Sequence, residues 1–303
     1  MKPARRSSLF AALLLTMFSA QALAVAPPRA VVADPVRDTK HPAANQQMLI
    51  PSGGVGMNAV LLQASGNGPK PTLVLLHGLP GNEQNLDLAQ AIRRAGWNVL
   101  TMHYRGSWGS PGTFSIAGAV EDAEAAMAFL RRADNAAKYG IDARRLFIGG
   151  HSMGGFAAAR YAAAHPDVPG VVLIDAWNAG ADGKDLIAHP ETRESAIAEM
   201  GADFGNSLSG TDATSLVDEV VGHGESWDLR SMANALAQPP VLIIGAAHGN
   251  AAQNKQLADA IRAQHGGKLT SMTIDTDHSF ADHRIALSAA VVGWLQGGVS
   301  VKK

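Results

Sequence analysis

Between Thr72 and Ile274 the chain alternates short, mostly apolar runs with amphipathic segments of helix length, and few folds tolerate that alternation. The runs are Thr72–Leu76, Val99–Met102, Leu146–Ile148, Val171–Ile174, Val241–Ile244 and Leu269–Ile274. A strand that is apolar on both faces must be covered on both faces, as in a parallel sheet flanked by helices. The segments between supply the helices: Asn85 to Ala95, Ile116 to Arg132, Met153 to Ala164, Asn254 to Gln264 and Ala281 to Leu295. Met48–Ile50 and Asn58–Gln63, placed around Gly53-Gly54, read as an antiparallel hairpin at the sheet margin. The expected class is α/β, a mostly parallel central sheet with helices on both faces. Crossovers of one hand bring the C-terminal strand ends to a common edge, where such sheets bind ligands.

The rhythm breaks once. The stretch between Ile174 and Val241 is long and irregularly helical, which predicts a small helical cap inserted over about 178–238. From Asp182 to Arg230 it holds eleven acids and three bases, a net of −8. A negative potential over an entrance would favour neutral or cationic ligands, and solvated helix faces explain the same residues as simply.

At the N-terminus, Lys2, Arg5 and Arg6 precede an apolar run from Leu9 to Phe18, and Ala22-Leu23-Ala24 follows with small-x-small spacing. This is the pattern of a signal peptide over 1–24, too short in its apolar part to remain as a membrane anchor. Residues 25–45, rich in Pro and Ala, read as an extended leader, and 46–303 as the folded domain. The expected location is periplasmic or secreted. A formal net charge of −1 points to neither nucleic acid nor an anionic membrane surface as partner. The absence of cysteine removes disulfides, a thiolate nucleophile and Cys-ligated zinc from consideration.

Gly150-His151-Ser152-Met153-Gly154 matches G-x-S-x-G, and it sits between a predicted strand and a predicted helix. That context is what the pattern needs: a sharp turn lifts a serine hydroxyl to the N-terminus of the following helix, as a nucleophile. His77-Gly78-Leu79-Pro80-Gly81, after an earlier strand, offers the Leu79 N–H, which with the Met153 N–H would hold a developing oxyanion. Among eleven histidines, His278 follows the last strand and precedes the last helix, the place for a general base downstream of the serine. The histidines show no H-x-x-x-H or H-E-x-x-H spacing, so no metal site is read from them, and no cofactor is called for.

On HGLPG, the Tyr104–Gly112 segment YRGSWGSPG, GHSMGG and TDHSF, the chain resembles the α/β-hydrolase superfamily from about Pro71 to Leu295. The branch is the bacterial one related to dienelactone hydrolases and prolyl-oligopeptidase-type catalytic domains. The resemblance implies serine acyl transfer on a small acyl substrate or short peptide, carboxylesterase first and peptidase second. It also implies that Arg105 lies beside the pocket, as a substrate contact or in a structural salt bridge. Relatives usually end a G-x-x-D stretch with the triad acid, but here the stretch is Gly245-Ala246-Ala247-His248. A histidine cannot stabilise an imidazolium as a buried carboxylate does. Some members take the acid from the preceding strand end, where Asp175 stands; Asp277 adjoins the base but points apart from it. A Ser–His dyad without an acid, or a binding protein that kept the fold without catalysis, completes the set of readings.

Overall fold

One sheet of eight strands carries the chain: β1 (Ala44–Ser52), β2 (Val55–Gln63), β3 (Lys70–Leu76), β4 (Asn98–Met102), β5 (Ile141–His151), β6 (Val171–Ile174), β7 (Val241–His248) and β8 (Leu269–Asp277). Their order is β1-β2-β4-β3-β5-β6-β7-β8. The β1–β2 hairpin turns at Gly53-Gly54, β2 runs antiparallel to both neighbours, and β3 to β8 are parallel. The computed structural model describes residues 26–202, 204, 206–264 and 268–297. The signal-peptide pattern at 1–24 lies outside the described residues.

The middle stretches of the central strands are mostly apolar because they feed two cores. Val74, Leu76, Ile148, Leu173 and Ile243 point to one face. There they meet α3 (Ile116–Arg131), α5 (Met153–Ala164) and α11 (Ala251–Ala263). Leu73, Leu75, Phe147, Val172, Ile174, Leu242 and Ile244 point to the other, under α2 (Leu86–Arg94) and α12 (Arg284–Gly297). Burying each such side chain contributes about 1.5–3 kcal/mol, so neither face of these strands is left to water. The two faces together fix the register: Ile148 pairs with Val171, and Val171 with Val241.

Residues 25–45 are not wholly extended, which corrects the sequence expectation. Arg29–Val32 forms a helical turn, α1, whose Ala30 and Val31 pack on the second core. Arg94 holds it by donating to the carbonyls of Ala30 (2.6 Å) and Val31 (3.3 Å), and β1 already begins at Ala44. Four residues are too few to show a period, so only this tertiary contact defines the turn. A second helix absent from the sequence reading, α4 (Ala133–Tyr139), connects α3 to β5 and ends at Gly140, whose φ is 62°.

Between β6 and β7 lie α6 (Ala179–Ala188), α7 (Arg193–Ala202), α8 (Ala213–Gly222), α9 (Gly224–Trp227) and α10 (Ala233–Leu236). Leu216, Val217 and Val220 bury the inner face of α8. One polar tie fixes this layer on the core and a second braces it internally. The Glu219 carboxylate accepts the free amides of Ile116 (2.9 Å) and Ala117 (2.8 Å) at the N-terminus of α3. Asn178 donates to Asp228 Oδ1 (3.0 Å) and accepts from the Leu229 N–H (3.0 Å).

Candidate active site

Each residue of interest sits just beyond a C-terminal strand end, as parallel strands dictate: Ser152 after β5, Asp175 after β6, His278 after β8. Ser152 has φ 56° and ψ −121°, backbone that a side-chain-bearing residue rarely adopts. Tertiary bonds hold it there: its N–H donates to the Ile174 carbonyl (3.0 Å), and its carbonyl accepts from Trp177 N–H (3.0 Å). The turn is tight enough that a Cβ on Gly154 would collide with the Leu76 carbonyl oxygen. Glycine at that place is therefore a steric requirement of the elbow.

Asp175 is fully buried and His278 partly exposed, and His278 Nδ1 lies 2.6 Å from Asp175 Oδ2. The carboxylate is held from behind by backbone. Oδ1 accepts from Ala246 N–H (2.8 Å), Oδ2 from Asn250 N–H (2.9 Å), and the Asn250 side chain donates to the Asp175 carbonyl (3.1 Å). Gly249 lets the β7–α11 loop approach so closely, since a Cβ there would strike Asp175 Oδ2. With the carboxylate accepting at Nδ1–H, the tautomer of the neutral ring that fits is the one whose acceptor nitrogen is Nε2. Asp277 lies outside this arrangement: exposed, its carboxylate accepts the Ala281 N–H (2.8 Å).

Ser152 and His278 line one cleft of about 480 Å³, together with Leu79, Pro80, Trp177 and side chains of α6, α7 and α8. The Ser152 side chain forms no hydrogen bond among the described residues, and His278 lines the same cleft. Met153 is the first residue of α5, where an amide has no acceptor within the helix and lies at the positive end of the dipole. Leu79 lines the same cleft as Ser152, from the loop after β3.

Two further histidines support the walls. His151 Nε2 donates to the His278 carbonyl (2.8 Å), and the two rings lie 4.5 Å apart. His77 Nδ1 donates to the Gly78 carbonyl (2.7 Å), and Tyr104 to that of His77 (3.0 Å). Burial pushes both imidazoles down from 6.5 to about 4, so they stay neutral while folded. A folded pKa below the unfolded one gives stability that is complete above about pH 6.5 and lost as pH falls towards 4. Each site forfeits about 3 kcal/mol over that window. Thermal unfolding followed from neutral to acid pH should therefore show a steep fall in Tm, which His151→Gln makes shallower. The same slope in both proteins would refute this account.

A family profile described as alpha/beta hydrolase fold matches residues 71–190. By fold, the chain is an α/β-hydrolase. Solved structures agree. An esterase of Pyrobaculum calidifontis aligns at 19% identity over 85% of this chain and 87% of its own, with a TM-score of 0.63. A thermostable carboxyl esterase from Bacillus coagulans aligns at 17% identity, covering 84% of this chain and 99% of its own, also at 0.63. An acylaminoacyl peptidase from Pyrococcus horikoshii aligns at 12% identity over 86% of this chain and 42% of its own, at 0.62. At these identities the shared property is the fold.

In this α/β-hydrolase the structure takes Arg105 out of the cleft. Its Nε donates to Asp122 Oδ1 (2.6 Å), and its Nη2 to Glu121 (2.6 Å) and the Gly118 carbonyl (3.2 Å). With its hydrogen-bonding fork engaged on α3, it serves as a strut and not as a substrate contact. His248, at the usual acid position, is exposed and lies 3.1 Å from Asp275. Four contributors were missed from sequence: His151, Trp177, Asp182 and Asn250. For His151 the signal was its place before the elbow serine, on the sheet edge. For the others it is spatial only.

Proposed function

We propose that the protein is a serine hydrolase that cleaves a carboxylic ester through an acyl-enzyme, with Ser152 as nucleophile, His278 as general base and Asp175 as the acid that orients it. The observation that carries this reading is the bond from His278 to a buried, backbone-held Asp175, in a cleft that also presents Ser152 at a strained elbow. Nε2 of His278 takes the Ser152 proton as Oγ attacks the carbonyl. The Leu79 and Met153 amides stabilise the tetrahedral oxyanion, and the leaving alkoxide takes the proton from His278. Water, deprotonated by the same imidazole, then releases the acid and restores the serine. No step in this sequence calls on a metal or an organic cofactor.

Peptide hydrolysis is the second reading, favoured by the likeness to an acylaminoacyl peptidase. The sequence argument for a non-catalytic scaffold is the histidine at 248; the Asp175 carboxylate, 2.6 Å from His278 Nδ1, weighs against it. A panel of short- and long-chain aryl esters and aminoacyl arylamides, with fluorophosphonate labelling, tests the proposal. Ester turnover and an adduct on Ser152 are expected. Failure of the pure protein both to label and to cleave any panel member would overturn it.

A further inference from the structure

Part of the wall of the cleft that holds Ser152 comes from α6 and α7, and it carries negative charge. Its apolar part is built from Trp177, Leu186, Met200 and Phe204. Among the described residues, the only charged side chains lining the cleft, His278 aside, are the carboxylates of Asp182 and Glu199. Neither is in an ion pair among the described residues. The three cations between Asp182 and Arg230 are occupied elsewhere: Lys184 on Asp228 (3.0 Å), Arg193 on Asp218 (2.5 Å) and Arg230 on Asp228 (2.6 Å).

Asp182 is also held in place. Oδ2 accepts from the Trp177 indole N–H (2.6 Å) and Oδ1 from the Gln253 side chain (2.6 Å). Both donors are neutral, so they orient the carboxylate without cancelling its charge, and each oxygen keeps a free lone pair. Burial raises its pKa, the behaviour of a carboxylate that lacks a cation. The distance to the chemistry is short, because the Trp177 N–H bonds the Ser152 carbonyl while its indole bonds Asp182. A single tryptophan spans from elbow to carboxylate.

We propose that the cleft selects acyl substrates bearing a cationic amine, with the apolar chain against Trp177, Met200 and Phe204 and the ammonium between Asp182 and Glu199. This names the substrate class of the hydrolase reading and rests on it. An ammonium supplies the counter-charge that the cap withholds, and it can donate to both carboxylates. A neutral chain of equal length fills the same apolar wall but leaves Asp182 desolvated and unpaired.

The test compares the aryl ester of 6-aminohexanoic acid with that of heptanoic acid, in which a methyl replaces the ammonium. For the wild-type protein, kcat/KM should favour the cationic ester by about tenfold or more at low ionic strength, with the difference shrinking in salt. Both Glu199→Gln and Asp182→Asn should bring the ratio of the two values down towards one. Glu199 is exposed and makes no side-chain bond among the described residues, so its variant keeps the test informative should Asp182→Asn fail to fold. A ratio near one in the wild type, with the neutral ester cleaved and the fluorophosphonate adduct formed, would overturn the amine preference and leave the serine-hydrolase reading standing. No turnover of either ester and no labelling would overturn both.

Discussion

Replacing Ser152 with alanine is expected to cost at least about a thousandfold in kcat/KM on any ester the wild type cleaves, and to abolish covalent labelling. The fold should survive unchanged. Among the described residues the Ser152 side chain makes no hydrogen bond, so its removal leaves no buried partner unsatisfied. The unusual backbone at this residue is imposed by the Ile174 and Trp177 bonds, which involve main-chain atoms and persist in alanine. Residual rate would come from the Leu79 and Met153 amides acting on a bound ester with water as nucleophile. Steady-state kinetics, an intact-mass adduct assay and a thermal scan check the three parts together. Wild-type turnover in a pure, folded Ser152→Ala protein would remove the nucleophile assignment and the mechanism with it.

The second large effect is expected at Asp175. Three N–H groups converge on its carboxylate, from His278, Ala246 and Asn250. An asparagine keeps the volume but offers one acceptor and a donor, so at least one of these contacts must be lost. If the amide NH2 faces His278, the imidazole must present an unprotonated Nδ1 and place its proton on Nε2. It can then no longer take the proton of Ser152. In the serine-protease triad the same substitution lowers turnover by about 10⁴, and a loss of that order is expected for Asp175→Asn. Stability should fall by only about 1–3 kcal/mol, the cost of one unsatisfied buried group. His248→Asp is the companion. It sets a carboxylate beside Asp275 on the exposed end of β7, so turnover should stay near the wild-type value. Near-normal turnover in Asp175→Asn, on an ester that Ser152→Ala does not cleave, would exclude Asp175 from the mechanism.

The difference between these two residues shows where sequence stops being sufficient. Apolar runs such as Val171–Ile174 and Val241–Ile244 give the sheet, because a strand with no polar face can only be interior. Ser152 and His278 are also legible as candidates, since the elbow is a local strand–turn–helix and the proposed base is placed by chain order. The acid is not, because its identity depends on which strand ends touch. Pairing of Ile174 with Ile244 brings Asp175 against the Ala246 amide, while a register irregularity between Ala246 and His248 accompanies a side chain turned out to Asp275. Arg105 shows the same limit: its partner Asp122 lies on α3, and only packing decides that the guanidinium turns there and not to the cleft.

The sequence by itself determined the sheet, its helical layers and the candidates for nucleophile and base, all of which follow from periodicity, from chain order or from contacts within a few residues. Tertiary structure alone decided which of the candidate acids meets His278, where the Arg105 guanidinium turns, the turn at Arg29–Val32 and the carboxylates facing the cleft. The reason is physical: a buried carboxylate is defined by the donors around it, and those of Asp175 come from 71, 75 and 103 residues away along the chain.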